Sequence, residues 1–285
     1  MLLFQFGCSE EIVVPETETG VTLLLAPLRA ATDDADNLPA EYNILNLSIF
    51  LTDAGSNTIT DKFVNQPFSA ATDVSIMNCK LVNLPTELSA QPAKDVYVIA
   101  NFDNVAAMNA VQTVDDLKAL QTPTLVTPNI LTTGRGLPMF GETDAVDFST
   151  ATTDNPPSVM LIRTCAKIRV TLTFPDATWV GTENMFVIEN APAYTYFVPN
   201  SFALPSTAFF DYPRIMFSQN SPQEFVSTTY IYESSTPPRL HLYTTVNGVA
   251  KDYLANSNFP LPVRNYLYDI QIQILKPLPT TSTAK

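Results

Sequence analysis

Residues 168–174 read IRVTLTF, and the way they alternate decides the fold class. Ile168, Val170, Leu172 and Phe174 fall on one side, Arg169, Thr171 and Thr173 on the other. Successive side chains of a β-strand point to opposite faces, so this period of two marks a strand with one face packed and one face wet. The beat recurs near the C-terminus, where YDIQIQI (268–274) sets Tyr268, Ile270, Ile272 and Ile274 against Asp269, Gln271 and Gln273. It recurs again at 45–51, LNLSIFL, with Leu45, Leu47, Ile49 and Leu51 facing one way and Asn46 and Ser48 the other. Further strands are expected at 21–26 (VTLLLA), 74–82 (VSIMNCKLV), 95–101 (DVYVIAN), 225–233 (FVSTTYIYE) and 240–246 (LHLYTTV). One helix stands out. Thr113 is followed three residues later by Asp116, a capping box with a short acid, and Leu117 and Leu120 supply an apolar stripe.

Composition points the same way. The chain has 23 Pro against 8 Gly, and Pro removes a backbone donor and clashes inside helices. Its 17 Phe and 11 Tyr give it enough apolar surface to fold. At 285 residues it exceeds what one small core usually organises, which predicts two domains. Residues 149–158, STATTDNPPS, hold no large apolar side chain and read as a linker between a domain at 20–150 and another at 155–285.

Charge and residue types narrow the function. A formal charge of −13 repels polyanions, and the bases are scattered, so no nucleic-acid partner is expected. The single His241 removes His-clustered metal sites, and it lies opposite Leu240 and Leu242, which predicts an outward, solvated ring. Gly134 and Gly136 in TTGRGLP lack the third glycine of a phosphate loop. The acidic run TDDADN (32–37), with Asp33, Asp34 and Asp36, lacks the glycine and distant Glu of a calcium loop and reads as solvated. No cofactor, no metal and no enzymatic activity are expected. Cys79 and Cys165 sit in apolar runs and read as buried thiols.

The N-terminus differs. MLLFQFG (1–7) is too short to span a bilayer, and an acidic run (9–20) follows Cys8. An apolar stretch ending in a small residue before Cys resembles the end of a lipoprotein signal, which would make Cys8 an acylation site and an outer-membrane lipid its partner. Residues 1–19 then read as signal end and linker.

Several of these stretches together resemble the fimbrillins of Bacteroidales, the subunits of type V pili. They are VTLLLAPLR (21–29) and ILNLSIFLTDA (44–54) joined by an acidic loop, VYVIANFDN (96–104) followed by a short helix and LPMFGET (137–143), then VMLIRTCAKIRVTLTF (159–174) with Arg163 and Lys167, and finally TYIYES (229–234) and VRNYLYDIQIQI (263–274). The resemblance implies an all-β fold of two transthyretin-like Greek-key β-sandwich domains in series, with one or two short helices. It implies export as a surface lipoprotein, cleavage by a trypsin-like protease, and polymerisation with other fimbrial subunits by donor-strand exchange. Arg29 is the matching cleavage position and Ala30 the new first residue; the bland reading of Arg29 is a solvated loop side chain. Arg29 is the sole base among eight acids in the first 41 residues. Cleavage would remove a strand carrying Val21, Leu23 and Leu25. Tyr268, Ile270, Ile272 and Ile274 are candidate donor-strand knobs, although an ordinary closing strand has the same pattern. The alternative function is a surface glycan-binding β-sandwich lipoprotein, for which Trp179 is the sole Trp platform.

Overall fold

The computed structural model describes residues 21–27, 39–66, 73–74, 79–125, 136–151, 155–176, 178, 181–199, 208–246, 248–255 and 259–275. Among the described residues of the chain, β-strands predominate. In its first half these are β1 (Val21–Pro27), β2 (Leu47–Asp53), β3 (Ile59–Gln66), β4 (Asp73–Val74), β5 (Cys79–Leu84), β6 (Lys94–Ala100), β7 (Met139–Val146) and β8 (Ser158–Arg163). They hydrogen-bond in the order β3-β2-β6-β7-β8-β1-β5-β4. β7 and β8 share only two register pairs, Met139 with Arg163 and Phe140 with Ile162. Gly141 permits their close approach, since a Cβ there would meet the Met160 carbonyl oxygen at 2.4 Å. Leu23, Leu25, Val159 and Leu161 on one wing of this sheet join Ile49, Leu51, Val96 and Val98 on the other in one buried cluster.

The alternation expected at 45–51 is only half right. Leu47, Ile49 and Leu51 are buried together, but Leu45 precedes the strand and is exposed, while Ser48 and Phe50 on the opposite face are buried too. Two short helices explain it: α1 (Val105–Ala110) and α2 (Val114–Ala119). Their Met108 and Leu117, with Val111 between them, form a second cluster with Phe50, Ile99, Phe102, Phe140 and Phe197. β2 is therefore covered on both faces. The α2 start is as the sequence predicts: Asp116 N donates to Thr113 Oγ1 at 3.1 Å, and Thr113 N donates back to Asp116 Oδ2 at 2.9 Å. α1 has an Asn104 cap but no reciprocal capping box, so its start leaves no comparable mark in the sequence.

The stretch 159–174 holds two strands. β8 ends at Arg163, Thr164 turns the chain, and β9 (Cys165–Thr173) opens the second half. Residues 149–158 thus lead into β8, which still pairs within the first sheet. The second half holds β10 (Thr182–Glu189), β11 (Ala191–Pro192), β12 (Phe209–Phe210), β13 (Ile215–Met216), β14 (Ser218–Ser221), β15 (Glu224–Tyr232), β16 (Arg239–Val246), β17 (Val249–Ala255) and β18 (Leu267–Gln273). These make a sheet β14-β15-β9-β18, a sheet β13-β10-β16-β17 and a short ladder β11-β12. Ile168, Val170, Leu172 and Phe174 are buried, as their spacing requires, beside Phe186, Ile188, Leu240 and Leu242 of the facing sheet. The other face of β9 is drier than expected. Thr171 is buried and Arg169 half-buried, because β9 is an inner strand between β15 and β18.

Candidate assembly site

β1 is the first strand among the described residues. β1 lies inside its sheet, antiparallel to β5 from Val21 opposite Leu84 to Leu25 opposite Lys80. On its other side it runs parallel to β8, from Leu24 opposite Ser158 to Pro27 opposite Leu161. The Leu24 N–H donates to the Pro157 carbonyl at 2.9 Å just where this second ladder begins. Leu23 and Leu25 are fully buried, each stabilising the core by roughly 1.5–3 kcal/mol. Val21 belongs to the strand, but its side chain lies outside the described residues. Taking β1 away would leave β5 and β8 as two edges about two strand spacings apart, roughly 9.5 Å, above an apolar floor. Edges of that kind are templates for another strand.

The next described residues after β1 are held by a buried carboxylate. Glu41, in a single 3₁₀ turn (Pro39–Tyr42), is fully buried. Its carboxylate accepts from Arg163 Nη1 at 2.5 Å, sits 2.7 Å from Lys167 Nζ and accepts from the Tyr230 hydroxyl at 2.8 Å. Arg163 Nε also donates to Asn265 Oδ1 at 3.1 Å, and its guanidinium lies over the Tyr42 ring. One carboxylate from the first half thus gathers two cations at the crossing into the second half. Burial, then the Glu41 charge and hydrogen bond, push the Tyr230 hydroxyl far above its usual titration range. A second seam runs beside this one. Thr122 and Thr195 exchange backbone and hydroxyl hydrogen bonds, Phe102 packs on Phe197, and the Tyr232 hydroxyl donates to the Pro123 carbonyl at 2.6 Å. Arg264 completes it, donating to the Phe197 and Tyr196 carbonyls and pairing with Glu233.

The sequence missed Glu41, Tyr230 and Asn265, which are far apart along the chain. The available signal was Arg163 and Lys167, two cations inside an otherwise apolar run. Such positions are rarely buried without partners.

At the other end of the chain, β18 pairs in parallel with β9, from Leu267 opposite Lys167 to Gln273 opposite Thr173. Arg169 and Asp269 tie the two strands at 2.6 Å. Tyr268, Ile270 and Ile272 are half-buried against the core and Ile274 is buried, while Asp269, Gln271 and Gln273 are exposed. Among the described residues β18 has one neighbour, whereas β1 has two.

Cys8, Arg29, Ala30, Asp33, Asp34, Asp36, Gly134 and Trp179 lie outside the described residues, as does the Cys79 side chain. Cys165 is a buried free thiol whose ionisation burial pushes up to about 12, so it is inert at neutral pH. His241 is on the outer face, its side chain 17% exposed between Glu189 and Asp252. Among the described residues no cluster of His, Cys, Asp and Glu is arranged to hold a metal. Among them, too, no helix is long and apolar enough to cross a membrane.

Comparison with known proteins settles the family. The model of the major fimbrial subunit protein (FimA) matches residues 20–185, more than half of the chain. The chain belongs to this family. It is a structural subunit of a cell-surface fimbria, with a role in adhesion. Solved structures give the same fold at low identity. The tip fimbrial protein Mfa3 from Porphyromonas gingivalis, truncated at its C-terminus, is 17% identical, with 90% of this chain and 95% of that one covered at a TM-score of 0.59. The FimA fimbrilin of the same organism is 13% identical, with 91% of each chain covered and a TM-score of 0.53. A putative cell adhesion protein from Bacteroides eggerthii is 17% identical, covering 90% of this fimbrial subunit and 86% of that chain, at a TM-score of 0.53. No curated protein sequence matches the chain.

Proposed function

We propose that this subunit is exported as a lipoprotein acylated at Cys8, is cut after Arg29 by a trypsin-like protease, and polymerises by strand exchange. The observation that carries the proposal is the place of β1. It is the first described strand, it sits between two ladders, and it buries Leu23 and Leu25 completely. Its excision opens a groove that an extended strand of another subunit refills, which is the energetic logic of donor-strand complementation. Glu41 supports this reading from the other side. It pins the chain twelve residues beyond Arg29, so cutting there leaves the rest of the molecule fastened. The two halves, joined across the Glu41 and Arg264 contacts, serve as two domains of one subunit. Before processing, the acyl group at Cys8 holds the subunit to the outer membrane.

Arg29→Ala is expected to yield a folded monomer that does not enter fibres, while fibres of the unaltered protein begin at Ala30. N-terminal sequencing and sedimentation read both outcomes. Fibres assembled normally from Arg29→Ala, or beginning upstream of Ala30, overturn the proposal.

The donor is proposed to be the segment from Tyr266 to Leu275, whose Tyr268, Ile270, Ile272 and Ile274 supply apolar knobs at every second position. Its ladder with β9 within one chain supports the competing role of a closing strand. Ile270→Cys combined with Val159→Cys separates the two roles. A cross-link between subunits of a fibre supports donation. Fibres with no such cross-link leave β18 as the closing strand of its own subunit.

A further inference from the structure

Three side chains line up across three strands on the outer face of the sheet β13-β10-β16-β17. His241 on β16 lies opposite Val187 of β10 and Leu254 of β17. Glu189 and Asp252 are two residues further along those strands, hence on the same face as their Val187 and Leu254 neighbours. His241 Nδ1 is 2.9 Å from Glu189 Oε1, and its Nε2 contacts Asp252 Oδ1. A neutral imidazole donates from one nitrogen only, whereas an imidazolium donates from both. Both carboxylates can therefore accept a hydrogen bond only when the ring is protonated.

The surroundings favour that charge. Tyr243 stacks on the ring with centroids 4.3 Å apart, its hydroxyl 3.0 Å from Nδ1. Arg214, from the segment before β13, covers the Tyr243 ring. Arg239 on β16 lies opposite Glu189, and Asp211 is engaged with the Asn190 N–H. Burial alone would lower the His241 pKa, but the hydrogen bonds and charges of Glu189 and Asp252 outweigh it and raise the value above 6.5.

Among the described residues, the strand that this contact reaches is an edge: β17 pairs there with β16 alone, and Val249, Tyr253 and Leu254 on it are exposed. We propose that Glu189, His241 and Asp252 form a proton-dependent brace that ties edge strand β17 across β16 to β10. The brace is whole when His241 is charged and is halved when the ring is neutral. A raised folded-state pKa places its full stabilisation below about 6.5, the unfolded value, and its loss as pH rises through the folded value.

Amide hydrogen exchange on the full chain tests it, with rates corrected for intrinsic exchange and β15 as the internal reference. Protection at residues 250–254 is expected to fall about tenfold between pH 6 and pH 9, as one charge-assisted hydrogen bond to the strand is lost. In His241→Gln the protection should be flat with pH. Asp252→Asn, a change at a largely exposed position, should bring the pH 6 value of β17 to the pH 9 value of the unaltered protein. Equal protection at both pH values in the unaltered chain, or an undiminished fall in His241→Gln, overturns the brace.

Discussion

Glu41→Gln is expected to unfold at markedly lower urea, with a loss of about 3–5 kcal/mol, the range seen when one partner of a buried ion pair is removed. The magnitude follows from the charge count around that carboxylate. Arg163 and Lys167 have side chains only 2% exposed, and both lean on Glu41. A neutral amide leaves two buried cations without their shared anion, and water cannot reach them. Lys167→Met is the informative companion. It leaves Glu41 with Arg163 and Tyr230, one charge against one, so its cost is expected to be well under half that of Glu41→Gln. Urea titration of both variants checks the order. Equal losses would mean that the joint is held by packing and that charge balance contributes little.

Leu25→Ala is expected to destabilise the intact chain by about 2–5 kcal/mol, the usual cost of opening a cavity at a fully buried Leu. The walls around this site are strands tied into their own ladders, so collapse around the missing methyls is limited. The same substitution has a second, opposite readout under the proposed processing. Leu25 leaves with the excised strand, so the stability of the finished fibre should be unchanged while the precursor weakens. Unfolding of the purified precursor and of the fibre, measured side by side, gives both numbers. A fibre weakened as much as the precursor would show that β1 stays in place.

The strands that could be read from sequence are those with one packed face and one wet face. β18 alternates as its residues predict, and the core side of β9 follows its Ile168, Val170, Leu172 and Phe174 spacing. The capping box at Thr113 was equally legible, because it depends on residues three apart. What could not be read is whatever depends on distant segments meeting. β2 is buried on both faces because Met108, Val111 and Leu117 come to lie over Phe50, and a period of two cannot announce a second cover. Glu41 looked like one more acid in an acidic stretch, since nothing local tells that Arg163, Lys167 and Tyr230 converge on it. The break at Thr164 was hidden for a similar reason. Residues 159–174 keep a strand-like pattern through the point where the chain leaves one sheet for another, and only the partners of β8 and β9 differ.

The direction of β1 has a consequence for growth. It runs with β8 and against β5, so a strand seated there under the proposed strand exchange makes one parallel and one antiparallel ladder in either sense, and the side-chain register decides which sense packs. Each unit then offers a seat at one place and a filler from another, an arrangement without a twofold axis, which propagates as an open chain and not as a closed pair. Such a filament has two chemically different ends. Under the proposed strand exchange, one end would carry the vacant seat, and the last unit added there would decide whether lengthening continues or stops.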